Sequence, residues 1–100
     1  MRTIAGLPVG NILTSEEIDI PTAGTAVQLV STSTPCIGVI VSNVNAANAI
    51  YVGNSSVDKT DARGIRLNTG DWVYIPVGDA SLIYVDGTSN GDDAGYLIIS

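Results

Sequence analysis

The segment Asp86-Gly87-Thr88-Ser89-Asn90-Gly91-Asp92-Asp93 concentrates carboxylate, hydroxyl and amide side chains in a single glycine-bounded turn. Gly87-Thr88-Ser89-Asn90-Gly91 has the Gly-x-Ser-x-Gly spacing of a nucleophile elbow, a strained strand-to-helix turn that exposes a serine hydroxyl. That chemistry needs a histidine to take the hydroxyl proton, and the chain contains none. Asp86, Thr88, Asn90 and Asp92 also stand at alternate positions with Gly91 sixth from Asp86, as in the front half of a calcium loop. The twelfth position, where an EF-hand places a bidentate glutamate, is Leu97, so that site is excluded. Two readings remain, a looser calcium site in a hairpin loop and a solvated turn whose Asx side chains bond their own backbone.

Asp58, Asp61 and Asp71 are the other carboxylates whose convergence would matter, as a pair for glycoside hydrolysis. A general acid needs an apolar or like-charged pocket to keep its proton, and so short a chain offers no obvious cleft. Cys36 is the single cysteine, which rules out an intrachain disulfide and a cysteine-rich zinc site. It lies in an apolar run and reads as an inert buried thiol. Trp72 and the four tyrosines offer rings for stacking on sugars, but Trp72 in an alternating strand reads as core. The expectation is therefore a protein that is not an enzyme and holds no cofactor or metal.

The elements that would carry these residues are short strands cut by turn residues. "IDI" (18–20), "AVQLV" (26–30), "CIGVIV" (36–41), "AIYV" (49–52), "GIRL" (64–67), "WVYIPV" (72–77), "LIYV" (82–85) and "YLIIS" (96–100) are separated by Gly, Asn, Asp, Ser and Pro. No window keeps a helical apolar stripe. Strands at this spacing predict an all-β fold, an antiparallel β-sandwich of jelly-roll or immunoglobulin type with about seven to eight strands. "CIGVIV" is apolar on both faces and predicts a central, doubly covered strand. "WVYIPV" sets Trp72 and Tyr74 on one face and Val73, Ile75 and Val77 on the other. The triplet Ile-Tyr-Val occurs at 50–52 and at 83–85, each time running into a small-residue turn. The flanking residues do not match, so these are two similar strands of one sandwich rather than an internal repeat.

Residues 1–17 mix apolar side chains with Gly6, Pro8 and Gly10 and hold no period. They read as an N-terminal arm or a first strand, ahead of a sandwich domain over 18–100. Arg2, Ile4, Leu7, Val9, Ile12 and Leu13 are the candidate partner-binding residues of that segment. Net charge is −6 with one lysine and three arginines. Without a basic cluster, nucleic acid and anionic membrane are not expected partners. No apolar run reaches the roughly 20 residues of a membrane span, and no secretion signal is legible at the N-terminus.

Tyr51-Val52-Gly53, Gly64-Ile65-x-Leu67, Gly70-Asp71, Tyr84-Val85-x-Gly87 and the closing Tyr96-Leu97 form a rhythm of strand and turn over roughly residues 26–100. In this the chain resembles small β-sandwich modules of tailed-bacteriophage structural proteins, including head decoration (cement) proteins and head-fibre modules. The resemblance implies a virion protein made in the host cytoplasm and placed on the capsid exterior. Its implied partner is the major capsid protein, which it would stabilise by bridging shell subunits. "CIGVIV" and "YLIIS" leave more apolar surface than one thin sandwich covers, so self-association, with a trimer favoured, is also expected. The rival expectation is a carbohydrate- or receptor-binding module of a phage fibre or tail.

Overall fold

The computed structural model describes residues 10–100, together with the backbone of β1 (Arg2–Ile4) and β2 (Leu7–Val9), which pair antiparallel with each other. Eight further strands follow: β3 (Ile12–Ile20), β4 (Val27–Gln28), β5 (Gly38–Asn43), β6 (Ile50–Gly53), β7 (Ile65–Leu67), β8 (Trp72–Ile75), β9 (Tyr84–Gly87) and β10 (Asp92–Ile99). They form two antiparallel sheets, ordered β3-β10-β5-β8 and β4-β9-β6-β7. Apart from the β6–β7 hairpin, each strand lies in the opposite sheet from its predecessor. That alternation, with the first strand beside the last, is jelly-roll connectivity; an immunoglobulin sandwich keeps its first two strands in one sheet.

The core follows from period-2 alternation. Val39 and Val41 of β5, Ala94 and Ile98 of β10, and Ile20 of β3 face Ile50 and Val52 of β6, Leu67 of β7 and Val85 of β9. All are buried. At roughly 1.5–3 kcal/mol for each fully buried aliphatic side chain, this two-layer interior is the dominant stabilising term. Val73 and Ile75 of β8 close its flank while Trp72 and Tyr74 point the other way, as the alternation predicts.

Several local expectations differ from the structure: β10 begins at Asp92 rather than Tyr96, and β4 is only Val27–Gln28. β3 begins at Ile12 rather than Ile18, because residues 12–20 pair with β10 from Asp92 to Ile99, with one register shift beside Ile99. The second Ile-Tyr-Val does not start a strand: Ala80–Leu82 form a 3-10 turn capped by Asp79, and Ile83 ends it before β9 opens at Tyr84. The two triplets nevertheless meet, since β6 and β9 are antiparallel neighbours with Val52 opposite Val85. Finally, β5 is central in its sheet but, among the described residues, covered by a second layer on one side only.

The outer side of the β4-β9-β6-β7 sheet is dressed by loops, and Asp86 holds them there. This carboxylate is fully buried opposite Tyr51. Its Oδ1 accepts from the backbone N–H of Gly24 and of Gly87, and its Oδ2 from that of Lys59, each at 2.9 Å. Three segments distant in sequence thus converge on one side chain. Gly64 completes the 54–64 loop with φ +111, where an added Cβ would stand 2.6 Å from the Val52 carbonyl oxygen, so only glycine fits.

One end of the sandwich is closed by a buried amide network. Asn43 Nδ2 donates to the carbonyls of Asn48 and Leu67, and its Oδ1 accepts from the backbone and side chain of Asn45. Asn45 in turn exchanges bonds with the backbone of Asp93. Every polar atom of that buried amide has a partner, as burial demands.

Candidate functional site

The residues with chemical potential are tied into turns. Asp92, buried beside Asn48, accepts from the Thr88 and Ser89 N–H groups through Oδ2 and from Asn48 Nδ2 through Oδ1. Asn90 Oδ1 accepts from the Ala23 N–H. The oxygens that a calcium loop would aim at a cation therefore face N–H donors, whose partial positive charge opposes a cation. The solvated-turn reading holds only in part: Asp92 bonds the backbone of its own turn but is buried, while Asp86 and Asn90 bond segments far away in sequence. Gly91 leads into β10, so the Gly-x-Ser-x-Gly serine sits on a turn between strands and not ahead of a helix.

The three glycosidase-like carboxylates each serve their own turn. Asp58 accepts from the Thr60 N–H, Asp61 lies 3.5 Å from the Arg63 guanidinium on the surface, and Asp71 accepts from the Asn68 N–H. Among the described residues, no three acidic or cysteine side chains gather as metal ligands do. Cys36 is half-buried, with Sγ 3.2 Å from the Val77 carbonyl, and burial pushes its thiol pKa up, away from thiolate reactivity. Asp79 is held well below the usual carboxylate range, first by the Ser33 hydroxyl and then by the Thr34 and Ser81 N–H groups. It anchors the 3-10 turn.

What the structure leaves unsatisfied is a surface. The outer face of the β3-β10-β5-β8 sheet carries Trp72 and Tyr74 from β8, Ile40 from β5, and Leu97 and Ile99 from β10. Register places them in contiguous rows: Tyr74 beside Ile40 beside Leu97, and Gly38 beside Ile99 beside Ile12. Trp72 stands next to Ser42, 65% exposed, and Tyr74 is 41% exposed. Trp72 is thus not a core residue, contrary to expectation. Its strand is an edge strand whose inner positions are filled by Val73 and Ile75, so the ring has only the outer side to occupy. Ile40 is half-buried by its neighbours and has no second layer above it among the described residues, which corrects the doubly covered reading of β5.

Tyr74 folds along the sheet. Its hydroxyl donates to the Ile37 carbonyl at 3.3 Å, and its ring covers Gly38, where any Cβ would collide with it. The aromatic edge is thereby flattened against the sheet. The part of this face formed by β8, β5 and the end of β10, apolar with exposed rings at one margin, has the composition of a contact surface, while Glu17, Asp19 and Asp93 make its far corner acidic.

Of the six expected partner-binding residues, Ile12 and Leu13 are exposed at 62% and 53%, at the start of β3 and at the border of this face. The side chains of Arg2, Ile4, Leu7 and Val9 lie outside the described residues. The sequence reading assigned excess apolar surface to the runs that hold Ile40, Leu97 and Ile99 without naming these half-buried residues one by one. The signal was present in the two runs that are apolar on both faces, "CIGVIV" and "YLIIS".

Compared with known protein families, curated proteins and solved structures, the chain matches none.

Proposed function

We propose that this chain is a non-enzymatic phage virion protein that binds the outside of a capsid and stabilises it by bridging shell subunits, with the open face of the β3-β10-β5-β8 sheet as a docking surface. The observation that carries this reading is the row Tyr74–Ile40–Leu97 with the exposed Trp72 beside it, over which no second layer lies among the described residues, on a domain whose other sheet is dressed by pinned loops. Hydrophobic burial is the main driving force of association, and a single sheet face with aromatic residues at its margin supplies it without any catalytic group. Ile12 and Leu13 extend the surface toward the N-terminal segment, where Arg2, Ile4, Leu7 and Val9 provide further contacts. The partner is the major capsid protein, and the chain acts as a homo-oligomer, a trimer, around a local symmetry axis of the shell.

Co-sedimentation with empty heads of the phage that encodes the chain tests this. Wild-type protein is expected to pellet with the heads at a fixed copy number. The variant Leu97→Asp, which places a charge at the centre of the face, is expected to stay in the supernatant while retaining its β-sheet circular dichroism. Equal pelleting of both proteins would reject the face as the docking surface.

A second reading is favoured by one specific observation. Trp72 and Tyr74 alternate on one strand, so their attachment points are about 7 Å apart on the same side. Two exposed rings so placed suit stacking on successive sugars of a glycan, as a carbohydrate- or receptor-binding module of a fibre or tail requires. Tryptophan fluorescence titrated with host cell-surface polysaccharide separates the readings, because Trp72 is the single tryptophan. A saturable shift supports the glycan reading; none supports the shell.

A further inference from the structure

The sandwich has a second open feature, on the flank opposite Trp72. β3 is the edge of its sheet and β4 the edge of the other, and between them runs a groove of about 460 Å³. Its apolar lining is Ile18, Leu29, Val30 and Tyr96, and Ser31, Thr32 and Thr34 supply hydroxyls at the rim. β4 covers only two residues of a flank along which β3 extends for nine. Most of the β3 edge therefore has no strand beside it, and its outward backbone N–H and C=O groups have no ladder partner among the described residues.

The charges along this edge have one sign. Glu16, Glu17 and Asp19 are exposed on β3, and neither Ile12–Ile20 nor Gln28–Thr34 contains a lysine or arginine. Asp19 moreover stands directly opposite Asp93 of β10. Like charges facing each other across a ladder are unfavourable, and a cation beside them would relieve the pair. Glu16 sits opposite Tyr96, and burial with that carboxylate nearby pushes the phenol pKa up. The alternation of β3 divides the edge into two rows: Glu17 and Asp19 face outward on the sheet, while Ile18 faces the groove.

We propose that the β3 edge and the adjoining groove accept an extended segment of another protein chain as an added antiparallel or parallel strand, in which cationic and aliphatic residues alternate. The segment's backbone completes the ladder on β3, its cations lie beside Glu17 and Asp19, and the aliphatic residue between them enters the groove against Ile18, Leu29, Val30 and Tyr96. Backbone pairing supplies affinity in such strand addition, and the alternating side chains supply selectivity. The chemistry argues against a second copy in this place: a β3 strand facing β3 would bring six acidic side chains together, three from each chain. The chain's own N-terminus has Arg2 and Ile4 two positions apart, so in an extended strand they would share a side instead of alternating. This site is the β3 margin of the same sheet, at the far side from Trp72, and the inference holds whether the partner is a shell protein or another chain.

Hydrogen exchange on the full chain, read by mass spectrometry, tests it with a peptide of alternating lysine and valine. The expected result is slowed exchange confined to residues 12–20. The glutamate–valine peptide of equal length is expected to give no protection. The double substitution Glu17→Lys, Asp19→Lys lies on exposed positions and is expected to weaken binding at least about tenfold, as loss of complementary charge does. Thr32→Trp, which fills the groove mouth and leaves the charges intact, is expected to abolish it. Protection elsewhere in the chain, equal protection by the glutamate peptide, or full binding by Thr32→Trp would overturn the proposal. So would protection of residues 12–20 that grows with protein concentration alone, because the occupant would then be a second copy.

Discussion

Asp86 shows how much a single side chain settles in this molecule. It is a buried carboxylate with no ion pair among the described residues, yet the N–H groups of Gly24, of Lys59 and of its own neighbour Gly87 point at its two oxygens. Removing it leaves three donors without acceptors on a face sealed by the loops it pins. Asp86→Ala is expected to cost about 3 kcal/mol or more, since hydrogen bonds to charged acceptors contribute roughly 1.5–3 kcal/mol each and a lost acceptor strands its donors. Urea unfolding followed by circular dichroism measures it, and a loss within experimental scatter would show that the loops hold without the carboxylate. Asp79 makes a different prediction, in pH. Its pKa is lower in the folded chain than in the unfolded one, so its contribution is present at neutral pH and disappears as the solution is acidified below about pH 4. The melting temperature of Asp79→Asn should therefore fall less steeply than that of wild type between about pH 4 and pH 2. Parallel slopes would remove Asp79 from the acid response.

Among the elements, those with a clean alternation were legible in the sequence and those whose role depends on layering were not. β6, β7 and β8 lie within a residue or two of where "AIYV", "GIRL" and "WVYIPV" place them, because turn residues bound them on both sides. The alternative of a first strand within residues 1–17 did not fix the start of β3: "ILTSEE" carries polar residues on both sides, which an exposed edge strand tolerates and a pattern search does not reward. Trp72 was misjudged for the same kind of reason. Period 2 separates it from Val73 but does not say which row faces the core, and a large ring biases the choice inward. The edge position of β8 decides the matter, and that position is a property of the sheet order. The consequence is testable at the level of the strand. Trp72→Ser removes the most exposed ring of β8 and is expected to change unfolding free energy by less than about 1 kcal/mol, as surface substitutions do. Head binding should nevertheless drop. A large loss of stability would instead mean that the Trp72 ring packs within the domain.

At the scale of the whole molecule, the two sheets divide the work. One is sealed outside by loops riveted to Asp86, and the other presents an apolar outer face together with an open, acidic flank. Jelly-roll connectivity makes this possible, because it sets β3 and β8 as the two margins of one sheet. The face with Trp72 and the groove beside β3 are thus features of the same layer at opposite sides. Away from both, Asp79 with its lowered pKa serves the 3-10 turn before β9. The fold class was readable from strand spacing; the division of labour between sheets was not, since it depends on which strands become neighbours. The most direct test of the docking account is a cryo-electron microscopy reconstruction of empty heads saturated with the purified chain. The account predicts ordered extra density on the outer surface that fits the sandwich with Trp72, Ile40 and Leu97 turned toward the shell. Density with that face turned to solvent, or heads that remain bare at saturating protein, would contradict it.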